Sequence, residues 1–250
     1  MPFPQAPPAP PPAAFEETHH ELWDLENFNS ARRLCDWMFD QFAPFAEGSV
    51  VEVGAGIGTF SERLLAHGVE ALLLVEPEPP CAERLERDWG ADPRVTVARE
   101  TLPHSPAVRA WAGRADFVLC QNVLEHVPDD GAAVEAMAEA LRPGGHLTLL
   151  VPAHPRLYGP LDRLYHHHRR YTREQLRELA AGAGLEIIDL YSFNLLGVPG
   201  WWVSKYRRRP SVSRGALRLY EGLLRAWKPV EERRRPPWGL SLILHARRPG

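Results

Sequence analysis

Three groups of residues in this chain are of types and spacings that could do chemistry. The first is the stretch "VVEVGAGIGTF" (Val50–Phe60), an apolar run that holds the acid Glu52 and stops at glycines. Glycines after a strand let the backbone approach a ligand closely. A dinucleotide-binding turn wants G-x-G-x-x-G; here Gly54, Gly56 and Gly58 make G-x-G-x-G, and Thr59 stands where the third glycine would be, which argues for a different nucleoside ligand. The second group is a pair of acids. Glu76 ends the apolar run in "LLLVEPE", where it can accept from two ribose hydroxyls, and Glu100 in "VARETLP" can accept from an adenine amino group. The third group is histidines. His126 in "NVLEHV" follows Glu125, and an unperturbed imidazole titrates near neutrality, which suits a general base. "LYHHHRRYTREQL" adds three adjacent histidines before a helix signal.

The elements that must position these groups alternate. Apolar runs predict strands at Ser49–Val53, Ala71–Val75, Arg94–Ala98, Asp116–Cys120 and His146–Val151. Helical patterns fall between them at Thr59–His67, Pro79–Trp89, Ala107–Ala112 and Gly131–Leu141, the last stopped by "LRPGG". Thr172–Gly182 reads as a further helix with Thr172 as N-cap, "LEIIDLYSF" as a sixth strand and "GLSLILHARR" as a seventh. Strands alternating with helices mean parallel strands joined by right-handed crossovers and covered on both faces. The fold class is therefore α/β: a Rossmann-like, seven-stranded, mostly parallel sheet with helices on both faces and an antiparallel last strand. Ligands of such sheets bind at the carboxyl ends of the strands, where strand order reverses.

The succession Glu52, G-x-G-x-G, Glu76, Glu100, "ADFVLCQNVLEHVPDD" and "LRPGGHLTLLVP" resembles the class I S-adenosylmethionine-dependent methyltransferases. The resemblance is specific over about Val50 to Val151. It implies S-adenosyl-L-methionine as cofactor, with Glu52 orienting its methionine part, Gly54–Gly58 packing on its backbone and ribose, Glu76 on the ribose and Glu100 facing adenine. Ala55, Phe60, Pro77, Thr101, Gln121 and Asn122 complete the implied cofactor contacts. "NVLEHV" is similar to the E-x-x-E-H run that binds a divalent metal in ubiquinone-biosynthesis O-methyltransferases, with Asn122 in place of the first acid. The H-x-x-x-x-T-R-x-Q frame of small-RNA 2′-O-methyltransferases matches His167. Asn122, Glu125, His126 and His167 thus form a candidate metal set, but with one formal negative charge it is poor for magnesium. The expectation is no metal, with His126 and Glu125 as the catalytic residues.

Composition limits the rest. The 250 residues carry a net charge of −3, which gives no bias toward DNA and disfavours RNA. Cys35, Cys81 and Cys120 lack a C-x-x-C spacing, as expected of reduced thiols and a cytoplasmic setting. Residues 1–14 hold seven prolines and read as an extended or disordered tail; one methyltransferase domain is expected over 15–250. Within it, residues 15–46 read as two helices broken near Asn27–Ser30, 47–193 as the core, 194–237 as a helical insertion, and 238–250 as the last strand and tail. The insertion carries eleven Lys or Arg against three Glu from Lys205 to Arg235. Trp201 and Trp202 there, with Tyr165 and His167, are the expected wall for a small-molecule acceptor. Peripheral contact with a lipid surface or carrier protein would use the same basic and aromatic face; a monomer or homodimer suffices. Two alternatives stay open: an RNA-directed methyltransferase, and a non-catalytic subunit that binds the cofactor.

Overall fold

The computed structural model describes residues 25–204, 206 and 214–250; the proline-rich tail and much of the basic run after Ser204 lie outside the described residues. Seven strands form one sheet: β1 (Ser49–Val53), β2 (Ala71–Val75), β3 (Val95–Ala98), β4 (Ala115–Gln121), β5 (Leu141–Pro152), β6 (Glu186–Phe193) and β7 (Ser241–Arg247). Their order is β3-β2-β1-β4-β5-β7-β6. The pairings among β1 to β5 are parallel, and β7 runs antiparallel to both β5 and β6. Strand order reverses between β1 and β4, and Val53 pairs with Val75 on one side and Cys120 on the other. The turns leaving β1, β2 and β4 therefore leave the sheet at one level.

The helices are α1 (described over residues 25–30), α2 (Arg32–Phe42), α3 (Ser61–His67), α4 (Pro79–Trp89), α5 (Pro106–Ala110), α6 (Asp130–Ala140), α7 (Pro160–Leu164), α8 (Arg173–Gly182), α9 (Gly197–Ser204) and α10 (Arg214–Arg234). Strand residues alternate between two buried faces, so the strands read as continuous apolar runs. Val51, Val53, Leu73, Val118 and Leu149 join α6 and α8, while Val50, Leu72, Leu74, Phe117 and Leu119 join Trp37 and Phe42 of α2, Leu64 of α3 and Leu85 of α4.

The structure refines three readings. The helix α6 stops at "LRPGG" as expected, at Ala140, and β5 already starts there. Leu141 pairs with Ala115, and the register then shifts around Gly144, at φ +79°, before His146 meets Phe117. The break between α1 and α2 falls at Ala31, one residue beyond the expected Asn27–Ser30. The stretch before Tyr165, to which the sequence reading gives no element, contains α7, started by proline at its first position.

The insertion before β7 contains α10, which docks on α2. Ala31 offers α2 no side-chain cap; instead the Glu221 carboxylate of α10 accepts from Arg33 N–H at 3.1 Å and Leu34 N–H at 2.9 Å. The carboxylate also opposes the positive end of the helix dipole. Glu231 accepts from Asn194 N–H and Trp227 Nε1–H, tying α10 to the end of β6. Replacing Glu221 by Ala should cost about 1 kcal/mol and lower Tm by about 2–4 °C in thermal denaturation, with Glu221→Gln losing less because it keeps an acceptor.

Candidate active site

The glycine loop is tied to the sheet at both sides. Gly54 N–H donates to Val75 O at 2.7 Å and Gly58 N–H closes the loop on Ala55 O at 2.9 Å. Gly56 N–H donates to Glu76 Oε2 at 2.7 Å, and Glu78 N–H donates to Glu76 Oε1 at 2.9 Å. Glu76 is thereby buried and held by the backbone on both sides of the crevice. Glu52 is buried beneath the loop, and Ser61 Oγ–H donates to its Oε2 at 2.6 Å. Gly54 has φ +72°, and a Cβ there would lie 2.1 Å from Val123 Cγ2, so its glycine is required by the turn that follows β4. Above Gly56 an added Cβ would meet Leu25 Cδ2 at 3.8 Å and Cδ1 at 3.9 Å, ordinary van der Waals contact, so the Leu25 side chain lies over this part of the loop.

The remaining expected cofactor contacts divide. Ala55 and Gln121 are buried at this edge, and Gln121 Oε1 has no hydrogen-bond partner among the described residues. Pro77 and Thr101 are exposed. Asn122 is exposed with a left-handed φ of 52°. Phe60 packs between Phe28 and Phe42, with centroids at 6.4 and 5.8 Å, so its ring is spent on the core beside α2. Glu100 Oε2 accepts from Ser105 Oγ–H at 2.5 Å and Ala107 N–H at 2.9 Å, which engages that oxygen at the start of α5.

The histidine groups meet. His168 N–H donates to Glu125 O at 2.8 Å, and Tyr171 O–H donates to Leu124 O and Asp130 Oδ2. These bonds fasten "HHHRRYT" across the turn after β4. Glu125 is fully buried and neither carboxyl oxygen has a hydrogen-bond partner among the described residues. His167 Nε2 lies 3.9 Å from Glu125 Oε1, and its ring stands perpendicular to His126 at 4.8 Å. One ligand atom from each of Glu125, His126 and His167 lies within 4.8 Å of the others, so these three could hold a divalent ion. Trp201 lies against Arg170, 4.5 Å from guanidinium to ring centroid; Tyr165 sits 6.1 Å from His167. Trp202 is half exposed and pairs with Tyr206.

The sequence profile of the family described as "Methyltransferase domain" matches residues 25–190. The chain belongs to that family. This methyltransferase uses S-adenosylmethionine as its cofactor. A curated relative, the ubiquinone biosynthesis O-methyltransferase of Pseudomonas paraeruginosa, is 29% identical, covering 71% of this chain and 83% of the relative. Among solved structures, the Burkholderia thailandensis 1,6-didemethyltoxoflavin-N1-methyltransferase is 22% identical with a TM-score of 0.56, covering 98% of this chain and 93% of that one. The N-methyltransferase NodS of Bradyrhizobium japonicum is 15% identical with a TM-score of 0.58, covering 94% and 98%. Both were solved with S-adenosylhomocysteine, and at these identities their likeness speaks for the fold. No helix among the described residues is long and apolar enough to cross a membrane.

Sequence reading missed Ser61, Asp162, Arg170 and Tyr171 of the methyltransferase. Tyr171 acts through a contact 47 residues away at Leu124. Ser61 and Asp162 act through side chains five to nine residues away that follow no helix or strand period. Only the adjacency of "RRYT" to a helix start hinted at a fastened segment.

Burial sets the electrostatics. It pushes Glu52 up to about 8 despite the Ser61 bond, with Glu76 adding repulsion. It likewise pushes Glu125 up to about 8. Desolvation, then the neighbouring histidines, push His126 down to about 4, away from the near-neutral titration expected of an unperturbed imidazole, although the residue is exposed. His245, buried in the sheet, is also pushed down to about 4 by desolvation. A carboxyl raised in the folded state contributes stability below its unfolded pKa that is lost as pH rises through the folded one. A lowered histidine contributes stability at high pH that is lost as pH falls from about 6.5 toward 4. The two effects oppose below pH 6.5. Between about 6.5 and 8 only the carboxyls act, so the stability of the ligand-free methyltransferase should fall there. Each carboxyl contributes up to about 1.4 kcal/mol per pH unit. Denaturant unfolding across that window should show the decline, and Glu52→Gln should flatten it.

Proposed function

We propose that this methyltransferase transfers a methyl group to the oxygen of a small-molecule acceptor. The observation that carries this reading is the convergence of Glu125, His126 and His167 at the turn after β4, beside the glycine loop. A hydroxyl acceptor needs its proton removed, and this group supplies a base. The name of the curated relative, an O-methyltransferase, supports oxygen as the receiving atom.

The cofactor, when bound, supplies an electrophilic methyl on a sulfonium. In this reading Glu76 accepts from the ribose hydroxyls through the lone pairs its two backbone bonds leave free. Glu52 faces the cationic amino-acid end, and Gly54–Gly58 let the backbone approach. Gln121 offers its buried carbonyl oxygen to the same ligand. His126, neutral at pH 7 and exposed, takes the acceptor's hydroxyl proton as that oxygen is held in line with the methyl. Holding the two in line supplies much of the rate. Trp201 and Tyr165 border the acceptor side, with Trp202 at its mouth, so the 194–237 insertion shapes the pocket.

A second reading has its own observation. The Glu125 carboxyl is fully buried without a hydrogen bond, and a divalent ion held by Glu125, His126 and His167 would satisfy it. Such an ion would acidify a coordinated hydroxyl.

Calorimetric titration with S-adenosylhomocysteine should show binding, weakened at least tenfold by Glu76→Ala, a loss of about 1.4 kcal/mol. NADH binding with no S-adenosylhomocysteine binding would overturn the cofactor geometry. With an accepted hydroxylated aromatic, His126→Ala should lower kcat by roughly 10²–10⁴-fold. Full activity in EDTA favours His126 as a free base; activity lost in EDTA and restored by magnesium or zinc favours the metal.

A further inference from the structure

Asp162 stands behind His167 and has no part in the chemistry described so far. It lies in the first turn of α7, fully buried, and Gly159 N–H donates to its Oδ2 at 2.8 Å. Its Oδ1 accepts from Arg170 Nε–H at 2.7 Å and lies 3.0 Å from His167 Nδ1. Arg170, also buried, donates Nη1–H to Ala153 O at 3.0 Å and spreads over the Trp201 ring. This buried cation therefore joins Asp162 to the end of β5 and to α9.

The protonation of this contact follows from its partners. Both carboxyl oxygens of Asp162 already receive hydrogens, Oδ1 from the buried Arg170 guanidinium at 2.7 Å and Oδ2 from Gly159 N–H at 2.8 Å, so Asp162 is ion-paired as a carboxylate. An ionised carboxylate only accepts hydrogen bonds. The hydrogen between Asp162 Oδ1 and His167 Nδ1 therefore belongs to the imidazole. A neutral imidazole with its proton on Nδ1 has a bare lone pair on Nε2, and Nε2 is the atom 3.9 Å from Glu125 Oε1.

We propose that Asp162 is a positioning residue for methyl transfer: it fixes His167 in the Nδ1–H tautomer, so that bare Nε2 is presented beside Glu125 and His126. The inference rests on the reading of these three side chains as the reacting group. It holds whether Nε2 meets a proton or a cation, because both need the lone pair. Arg170 keeps the carboxylate charged and in place.

The test is long-range proton–nitrogen NMR of the full chain with labelled histidine at pH 7, the His167 signals being identified by their loss in His167→Gln. The wild type should show protonated Nδ1 and bare Nε2. Asp162→Asn, whose amide can donate to Nδ1, should shift His167 toward the Nε2–H form while S-adenosylhomocysteine still binds. A wild-type His167 in the Nε2–H form would overturn the proposal, and that measurement decides even where Asp162→Asn does not fold. In kinetics with an accepted acceptor, Asp162→Asn should lower kcat about 10–100-fold with the cofactor KM unchanged. It should have no further effect in a His167→Gln background; additive losses would overturn it. A chain that binds S-adenosylhomocysteine but transfers no methyl sinks the proposed reaction instead, and leaves the tautomer result to stand on its own.

Discussion

Glu52 and Glu125 are buried carboxyls to which no N–H donates among the described residues: Ser61 Oγ–H alone donates to Glu52 and nothing to Glu125. The buried Glu76 and Glu231, by contrast, each accept from two or more N–H groups. Burying an uncompensated charge costs several kcal/mol, so such a group keeps a proton or waits for a cation. The rest of the site is arranged around these two demands. Glu52 sits under the glycine loop, where the cationic end of S-adenosylmethionine lies in the proposed binding mode. Glu125 sits where a proton from the acceptor, or a metal ion, would arrive. Structural carboxylates elsewhere in the chain are satisfied: Asp116 by Ser49 N–H and Arg142, Asp162 by Arg170 and Gly159 N–H. The contrast marks Glu52 and Glu125 as groups kept for a ligand.

Parallel pairing sets the distance between them. Val53, Val75 and Cys120 share one level, so the turns after β1, β2 and β4 leave the sheet together. Glu76 then reaches back to Gly56, and Val123 packs against Gly54. A side chain at Gly54 would push the β4 turn, and with it Glu125 and His126, away from the loop. The "HHHRRYT" segment adds the third member from beyond β5 by an isolated bridge between Ala153 and Tyr171. Loops on a rigid sheet thus carry the chemistry.

Much of this was legible from sequence because it is local. The runs at Ser49–Val53 and Ala71–Val75 and the helix Pro79–Trp89 lie where apolar pattern and a leading proline put them. The glycine loop and the acids at Glu52 and Glu76 were visible because each follows from a strand end. The misread parts depend on distant partners. Leu141 of "LRPGG" already pairs with Ala115, and the register shift that follows depends on β4. Glu100 and Phe60 both read as cofactor contacts; Glu100 Oε2 accepts from Ser105 and Ala107 at the start of α5, and the Phe60 ring packs on Phe42 of α2. The carboxylate behind His167 and the cap from Glu221 onto α2 connect residues that no local pattern joins.

The most direct test of the central claim is calorimetric titration of S-adenosylmethionine into the full chain at pH 7 in buffers of different ionisation enthalpy. If Glu52 holds a proton in the free protein and yields it to a cationic ligand, binding releases a proton to the buffer, and Glu52→Gln abolishes that release. Binding without proton release, or release unchanged in Glu52→Gln, would contradict the account.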